Sequence, residues 1–587
     1  MPSKRKIHIA LLVLLVVSVL IRGFIAGFIE LGNDEVYYWT YAKYPALSHF
    51  DHPPMVGFVI DAFTLNLTFE DEFFVRLGSV VLGTLSTYLM FLIGLTVKNH
   101  LTGLYAALLY TASFYGFILT GTFILPDTPQ VFFWLLTLYL FLKSLPDRER
   151  SPRNRNLIFF AGATAGLALL SKYHSVFLIF GMLMYILIYD RKWILTKEFW
   201  GSLLVSALLF LPVIFWNMEN NFISFTFHEN RVGITESGLQ PQYFLTEIAG
   251  QFFYNNPVNV VLILISLVAL IRRRHFISAP HRQILLWTSL PLIAVFTAFS
   301  LFRSTLPHWT GPGYLGLLVI VASWLSEPSL KGTVKRLIPL PVFFSLLLLG
   351  SVITLAVGQI RGGWIPLQKM KIDDVSLDLY GWEQLGEKFA PLKKWDEDHF
   401  LMDKDAPIIT FRWFPAANFE YYLGRPTHLP VYAIGSLERI HKYYWINKIN
   451  GNLKQGDDMW FIALSDDYED PVQLYGNLFD LIVPSDTISI IRGMDTVRKA
   501  FIFRMIDLNK PLIFTPPKVT GRVDPAKTDT LAYFLKLIRG DRQYLDFLEK
   551  KSVREKVPLE DLIREEAMKL VRQSKESGVV PDTGRVR

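Results

Sequence analysis

Long apolar runs recur along this chain, and they constrain its fold more than any other feature of the sequence. A helix of about 18 or more apolar residues is long enough to cross the roughly 30 Å hydrocarbon core of a bilayer. Only 19% of the 587 residues are charged, against about 25% in ordinary globular domains. The sequence therefore predicts a polytopic α-helical membrane protein.

We predict eleven membrane spans, and their edges are set by hydropathy alone. They lie near residues 9–29, 75–97, 102–122, 130–145, 157–171, 174–189, 199–217, 257–271, 284–301, 310–326 and 337–358. The chain opens with the basic stretch MPSKRKIH, and no small-residue cleavage site follows the first apolar run. This pattern favours a retained first helix over a cleaved signal peptide.

The loops between the predicted spans differ in charge on the two sides of the membrane. If the N-terminus is cytoplasmic, inner loops such as PDRERSPRNR and RRRHFISAPHR are strongly basic, as the positive-inside rule requires. Topology thus accounts for the net charge of +7, and no nucleic-acid partner is predicted. An odd number of spans places the chain after Gln359 outside the cytoplasm. We therefore predict an inner-membrane protein with a cytoplasmic N-terminus and an extracytoplasmic C-terminal domain.

Composition divides the chain into three predicted parts. Residues 1–358 form the transmembrane domain. Residues 359–520 contain strand-length apolar runs and helical patterns, which predict an extracytoplasmic α/β domain. Residues 521–587 are charged with helical spacing and predict a helical tail. The chain has no cysteine, which excludes disulfides, thiolate catalysis and cysteine-ligated metals.

The first outer loop gathers ionisable residues beside aromatic residues and prolines. Asp34, Tyr37 and Tyr38 would share one face of a short interfacial helix. Interfacial helices carry tyrosines whatever their function, so the two adjacent acids, Asp34 and Glu35, are the stronger signal. Polar groups at membrane depth are costly and commonly mark a site.

Each of the other polar outer positions has a structural alternative to a functional role. Asp127 would also serve as a helix cap, Lys172 as a snorkelling lysine, and FDHPP as a turn that includes Asp51 and His52. Basic residues are normally scarce in outer loops, so those retained there favour an anionic ligand. These residues are Lys172, His174, His228, Arg231, Arg303 and His308.

These residue types together predict glycosyl transfer from a lipid phosphate. A carboxylate can take the proton of an attacking hydroxyl, and several cations can stabilise a departing phosphate. Aromatic side chains can hold a sugar and a lipid chain. No phosphate-binding loop or dinucleotide motif is present, so a nucleotide donor is not predicted. The rival interpretations are a lipid-linked-sugar transporter, which the bare span cores disfavour, and a non-catalytic scaffold for envelope assembly.

Several ordered motifs resemble one family of enzymes. They are NDEVYYWTYAKYPALSHFDHPPMVGFVI, LPDTPQVFFW, LLSKYHSVFL and STLPHWTGPGY. They resemble the bacterial polyprenyl-phosphate-sugar glycosyltransferases of the GT-C class, relatives of the protein O-mannosyltransferases and of the lipid A aminoarabinose transferase. The motifs look most like those of the rhizobial lipopolysaccharide galacturonosyltransferases, whose outer domain also resembles YGWEQLGEKF and FEYYLGRP. The resemblance covers about residues 9–510.

The resemblance implies an inverting glycosyltransferase whose catalytic carboxylates lie in the first two outer loops. Asp34 matches the family's catalytic base, and Asp127 matches the second acid, which orients the sugar or the acceptor. Glu35 is a further catalytic candidate. Tyr37 and Tyr38 are candidates for sugar or lipid contact, together with His308. The implied donor is a polyprenyl-phosphate sugar, and the acceptor is a lipid such as lipid A, an envelope glycan or a protein.

The implied phosphate and metal sites depart from the family pattern at one position. Where aminoarabinose transferases have Glu-Lys before a proline, this chain has Asp51-His52, and histidine is largely neutral at pH 7. The predicted donor-phosphate ligands are therefore Lys172, Arg231 and Arg303, with His52 as a weaker candidate. The resemblance leaves open a divalent metal ion, held by Asp51 and by His228, which falls near a family histidine.

Overall fold

The structure is a computed structural model that describes residues 2–514, apart from residues 148, 233–237, 273–275, 328–337, 368–369 and 371, and scattered residues beyond. The side chains of residues 230–232 also lie outside the described part. Helices occupy most of the described chain before residue 363. Their bounds are α1 Lys4–Phe28, α2 Asn33–Lys43, α3 Met55–Phe63, α4 Glu72–Val97, α5 His100–Ala112, α6 Asp127–Ser144, α7 Pro152–Ser171, α8 Val176–Tyr189, α9 Lys197–Glu219, α10 Ile223–Val232, α11 Pro241–Tyr254, α12 Pro257–Ile271, α13 Ala279–Phe299, α14 Gly311–Leu325 and α15 Leu340–Gly362.

Five of the described helices are long and apolar enough to cross a membrane: α1, α4, α9, α13 and α15. The pair α11 and α12 is bent by 97° and would add a sixth crossing if it forms one span. The predicted span 102–122 is interrupted, because α5 ends at Ala112 and a π-helical turn follows at Tyr115–Leu119. Each predicted span therefore overlaps a helix, while the total of eleven crossings remains a prediction.

Small residues let the apolar helices approach closely. A Cβ added at Gly162 of α7 would lie 2.2 Å from the carbonyl oxygen of Ser202 in α9, and one added at Gly94 of α4 would lie 2.8 Å from Gly103 of α5. Inside a membrane, helices associate largely through such close packing because lipid is as apolar as their side chains.

A five-stranded sheet follows the last membrane helix. Its strands are β1 Ile408–Thr410, β2 Val431–Ala433, β3 Met459–Leu464, β4 Phe479–Arg492 and β5 Asp495–Leu508, in the order β2-β1-β3-β5-β4. The strands β1 and β2 and the strands β1 and β3 pair in parallel, whereas β5 pairs antiparallel with β3 and β4. The accompanying helices are α16 Trp382–Asp398, α17 Trp413–Phe419, α18 Arg425–Thr427, α19 Leu437–Ile440, α20 Tyr443–Asn450 and α21 Pro471–Tyr475.

The sheet region packs with the membrane helices as one compact unit that ends at Ile513. One contact that joins them is made by Glu30, just after α1. Its Oε2 accepts a hydrogen bond of 2.7 Å from the backbone N–H of Trp382, at the start of α16. The predicted boundary at residue 358 therefore stays a prediction, and most of the predicted tail, residues 521–587, lies outside the described residues.

Candidate functional site

Helix α2, in the loop between α1 and α4, carries the acid that the sequence places first among the catalytic candidates. Asp34 is exposed near the N-terminus of α2, and its carboxylate accepts no hydrogen bond from the described residues. The surrounding protein still restricts water around this group. That desolvation, together with the carboxylates of Asp51, Asp378 and Glu35, raises the pKa of Asp34 to about 6, and Lys172 acts in the opposite direction. A carboxylate with a pKa near the working pH is suited to general-base catalysis.

The adjacent acid, Glu35, has a different environment. Its carboxylate is buried and forms an ion pair with Arg76 of α4, with contacts of 2.8 Å and 2.6 Å to Nε and Nη2. It also accepts hydrogen bonds of 3.0 Å from the backbone N–H groups of Gly32 and Ile124. Arg76 donates in addition to the carbonyls of Ala26, Ile29 and Glu30. Glu35 thus joins the end of α1, the start of α2 and the loop that leads to α6.

Asp127 begins α6 and is the second acid of the site. Its Oδ2 lies 2.6 Å from Nζ of Lys172, and both side chains are buried. The hydroxyl of Tyr115, in the π-helical turn, donates to Oδ1 at 3.2 Å. His308 also lies within electrostatic range of this carboxylate. The loops predicted to be the second and third outer loops therefore meet at a buried ion pair.

Tyr38 connects the two acidic positions. Burial and the carboxylates of Asp51, Asp34 and Asp127 raise the pKa of the Tyr38 phenol, so all three acids lie within its electrostatic range. The ring of Tyr38 is 5.8 Å from that of His52. The structure therefore brings together candidates that the sequence spreads over three loops.

The two predicted metal ligands have other partners in this structure. Oδ1 of Asp51 accepts hydrogen bonds from the hydroxyls of Tyr37 and Tyr41, at 2.8 Å and 2.6 Å. Nε2 of His228 donates to the backbone carbonyl of Asp51, at 2.7 Å. In the part of the chain that the structure describes, no three His, Cys, Asp or Glu side chains are placed to hold a metal ion. The divalent metal ion therefore stays a prediction.

Two other predicted phosphate ligands lie in α10 and in the turn after α13. Arg231 lies in α10, but its side chain falls outside the described residues. Arg303 is half-buried in the turn after α13, where its backbone N–H donates to Phe299. Lys172 is the predicted phosphate ligand for which the structure gives an ion pair within the cluster, with Asp127.

An apolar cavity of about 310 Å³ opens beside the π-helical turn. Its lining residues are Phe114, Ile118, Leu119, Phe253, Tyr254 and Val352. The Tyr254 ring at one end is 6.1 Å from the ring of His308, which in turn lies near Asp127. Tyr254, in the wall of the cavity, also lies within electrostatic range of Asp127.

The sheet region holds the C-terminal end of α2. Nζ of Lys442, which is buried, donates to the carbonyls of Thr40 and Tyr44 at 2.7 Å and 2.9 Å. A cation at a helix C-terminus interacts favourably with the exposed carbonyls and the helix dipole. At the other end of α2, the side chain of Asn33 donates to Asp378 at 2.7 Å. Both ends of the helix that carries Asp34 are thus fixed from the sheet region.

Sequence reasoning missed Arg76, Tyr115 and Lys442. A lone arginine inside an apolar span indicates a functional or structural role, so Arg76 could have been identified from the sequence. Lys442 and Tyr115 sit in segments with no distinguishing pattern, and their importance arises only from their contacts.

Residues 51–216 match the family described as dolichyl-phosphate-mannose-protein mannosyltransferase. The lipid A galacturonosyltransferase RgtD of Rhizobium johnstonii is 24% identical over 53% of this chain and 66% of its own length. An uncharacterized protein of Aquifex aeolicus is 26% identical over 52% of this chain and 57% of its own length. The matched segments therefore span less than two thirds of either relative.

The fold is similar to that of ArnT from Cupriavidus metallidurans, solved with bound undecaprenyl phosphate. The TM-score is 0.55 at 15% sequence identity, and the alignment covers 84% of this chain and 97% of that one. At this level of identity the likeness concerns the fold alone. It agrees with the helical architecture and the small C-terminal sheet predicted from the sequence.

Proposed function

We propose that this chain, a member of the GT-C glycosyltransferase superfamily, is an inverting glycosyltransferase that takes its sugar from a polyprenyl-monophosphate donor. The acceptor is a hydroxyl of an envelope lipid such as lipid A, of a glycan or of a protein. The reaction takes place at the outer face of the inner membrane. The observation that carries this proposal is the contrast between an exposed, unbonded Asp34 and the buried pair of Asp127 and Lys172.

Asp34 acts as the general base. Its carboxylate is accessible, and its raised pKa leaves it ionised but basic near neutral pH. As the acceptor oxygen bonds to the anomeric carbon, its proton passes to Asp34 and the bond from that carbon to the phosphate oxygen breaks. Attack from the face opposite the phosphate inverts the anomeric centre.

The leaving group is polyprenyl phosphate, and cations at the site stabilise its charge. Lys172 is the first candidate, because it pairs with Asp127 and its charge also acts on Asp34. We assign Arg231, Arg303 and His52 to the same phosphate as secondary contacts. The apolar cavity that ends at Tyr254 suits the first isoprene units of the donor.

Glu35 takes a positioning role in this scheme. Both of its oxygens are already bonded to Arg76 and to backbone N–H groups, so it has no oxygen left for the acceptor. We assign sugar or lipid contact to Tyr37 and Tyr38, whose rings pack together, and to His308, which lies within electrostatic range of Asp127.

The test compares purified wild-type protein with the variants Asp34→Asn and Asp61→Asn in liposomes. Asp61, in the neighbouring helix α3, is a control acid outside the cluster. The liposomes receive a panel of polyprenyl-phosphate sugars and an extract of envelope acceptors, and release of free polyprenyl phosphate is followed. We expect release by wild type and Asp61→Asn and a loss of about 10²–10⁴ in rate for Asp34→Asn.

Two outcomes would contradict the proposal. Equal release by wild type and Asp34→Asn would remove Asp34 as the base. Absence of release with every donor, from protein shown to be folded, would favour a transporter or a scaffold.

A further inference from the structure

The chain folds back on itself where α15 leaves the membrane. Gly363 adopts a left-handed conformation with φ of 59°, which directs Trp364 back along the helix. A Cβ at Gly358 would lie 2.5 Å from the Trp364 ring, and one at Gly362 would lie 2.8 Å from it. The indole therefore covers the last two turns of α15 and remains 61% exposed. Tryptophan is enriched at this depth, at the boundary between hydrocarbon and water.

A cluster of exposed apolar side chains begins at this turn. In the described part of residues 364–375 they are Trp364, Ile365, Met370, Ile372 and Val375. The tip of the β4–β5 hairpin adds Ile491 and the fully exposed Met494. We call these seven side chains the interface surface. Contiguous exposed apolar patches of this kind mark contacts with a protein or a membrane.

The hairpin tip lies beside the turn rather than elsewhere on the sheet. A Cβ at Gly363 would be 2.9 Å from Nε of Arg492, in the last residue of β4. A recess of about 250 Å³ is lined both by residues 363–367 and by residues 492–497. The interface surface is thus continuous with the outer end of a helix that is long and apolar enough to span the membrane.

An apolar groove of about 490 Å³ runs between α1 and α15 below this surface. Its walls include Ile21, Phe24, Ile25, Phe28, Ile353 and Val357. Arg361 stands at its mouth, where Nε donates to the Phe28 carbonyl at 2.8 Å and the guanidinium lies over the Phe28 ring. A groove between two spanning helices faces hydrocarbon, so a lipid chain is its natural occupant. A guanidinium at the mouth matches the phosphate of that lipid.

We propose that the interface surface rests on the membrane leaflet at its own side and that the groove holds one chain of a phospholipid whose phosphate meets Arg361. This contact sets the height of the sheet region above the bilayer. It does not depend on glycosyl transfer. Polyprenyl phosphate carries the same phosphate chemistry and is separated from a phospholipid by the second measurement below.

The first measurement uses the absence of cysteine in this chain. Met494→Cys is labelled with an environment-sensitive fluorophore and reconstituted in nanodiscs of phosphatidylethanolamine and phosphatidylglycerol. The matched control is Phe400→Cys, because Phe400 is also highly exposed, at 95%. It follows the C-terminal end of α16, whereas Glu30 anchors the N-terminal end of that helix. Quenching by lipids with a nitroxide near the headgroup is compared with quenching by aqueous iodide.

We expect the probe at residue 494 to be quenched several-fold more by the nitroxide lipid than the probe at residue 400, with the opposite order for iodide. Equal quenching of the two probes by lipid, or stronger quenching of residue 494 by iodide, would overturn the membrane contact. Neither readout requires an active enzyme, so this test can fail while the proposed function stands.

The second measurement is native mass spectrometry of wild type, Arg361→Lys and Arg361→Gln with added phosphatidylglycerol or undecaprenyl phosphate. We expect Arg361→Gln to retain about tenfold less phospholipid, from the loss of charge-assisted hydrogen bonds, and Arg361→Lys to retain an intermediate amount. Undecaprenyl phosphate should bind all three proteins equally. Selective loss of undecaprenyl phosphate would reassign the groove to that lipid, and unchanged phospholipid retention would overturn the site.

Discussion

Asp34 and Glu35 are neighbours in sequence, yet the structure predicts opposite consequences when each carboxylate is replaced by a side-chain amide. Asp34→Asn should abolish transfer without destabilising the protein. Glu35→Gln should destabilise the protein while each folded molecule keeps Asp34 in place. The contrast tests the assignment of one acid to chemistry and the other to structure.

The cost of Glu35→Gln follows from its partner. Arg76 is fully buried, and Glu35 is the only carboxylate that it contacts among the described residues. Removing one member of a buried ion pair leaves an uncompensated charge and costs about 3–5 kcal/mol. Spread over the unit that ends at Ile513, this corresponds to a fall in Tm of roughly 3–5 °C. A double variant, Glu35→Gln with Arg76→Met, should lose less than the sum of the two single changes, because no unpaired charge remains.

Asp34→Asn removes a carboxylate whose ionised form the fold disfavours. Since the pKa of Asp34 is about 6 in the folded protein and about 4 in an unfolded chain, the folded state binds more protons between these values. Ionised Asp34 therefore lowers the stability of the folded protein above pH 6, and the Tm of Asp34→Asn should be no lower than that of wild type at pH 7.

The assay combines differential scanning fluorimetry in detergent with release of polyprenyl phosphate, normalised to folded protein. A Tm for Glu35→Gln equal to that of wild type would refute the structural assignment of Glu35. A fall in Tm for Asp34→Asn as large as that for Glu35→Gln would refute the separation of the two roles.

Three further predictions follow from the same geometry. The transfer rate should rise with pH through a midpoint near 6, because Asp34 must lose its proton to act as base; a pH–rate profile that is flat between pH 5 and 7 would contradict this. Lys172→Met should lower the free energy of unfolding by roughly 3–5 kcal/mol, and with it the Tm, because Asp127 is left as a buried unpaired carboxylate. The same variant should raise KM for the donor. A Tm equal to that of wild type would contradict the ion pair. Lys442→Met should increase hydrogen exchange of residues 33–44 about tenfold, since a buried carbonyl left without a donor costs about 1–3 kcal/mol, while exchange in β3 stays constant.

The sequence alone determined the helical membrane architecture and showed that its polar residues fall between the apolar runs. Both depend on local composition: a run of apolar residues specifies a helix in a bilayer regardless of what surrounds it. The strand-length apolar runs PIITFRWFP, DMWFIAL and KAFIFRMID overlap β1, β3 and β5, and the helical pattern GWEQLGEKFAPLKKW overlaps α16. The strand β4 escaped prediction because Pro484 and a bulge interrupt its alternating pattern.

Only the tertiary structure decided which polar residues act together. Arg76 reaches Glu35 across 41 residues of sequence, and Lys442 reaches Thr40 across 402. Local sequence patterns do not predict such pairs, because tertiary packing determines which distant residues meet. The same limit explains why the sequence grouped Asp34 with Glu35: adjacent side chains on a helix point in different directions. The Asp34 carboxylate accepts no hydrogen bond from the described residues, whereas that of Glu35 pairs with the buried Arg76. That difference separates the proposed base from the residue proposed to hold it in position.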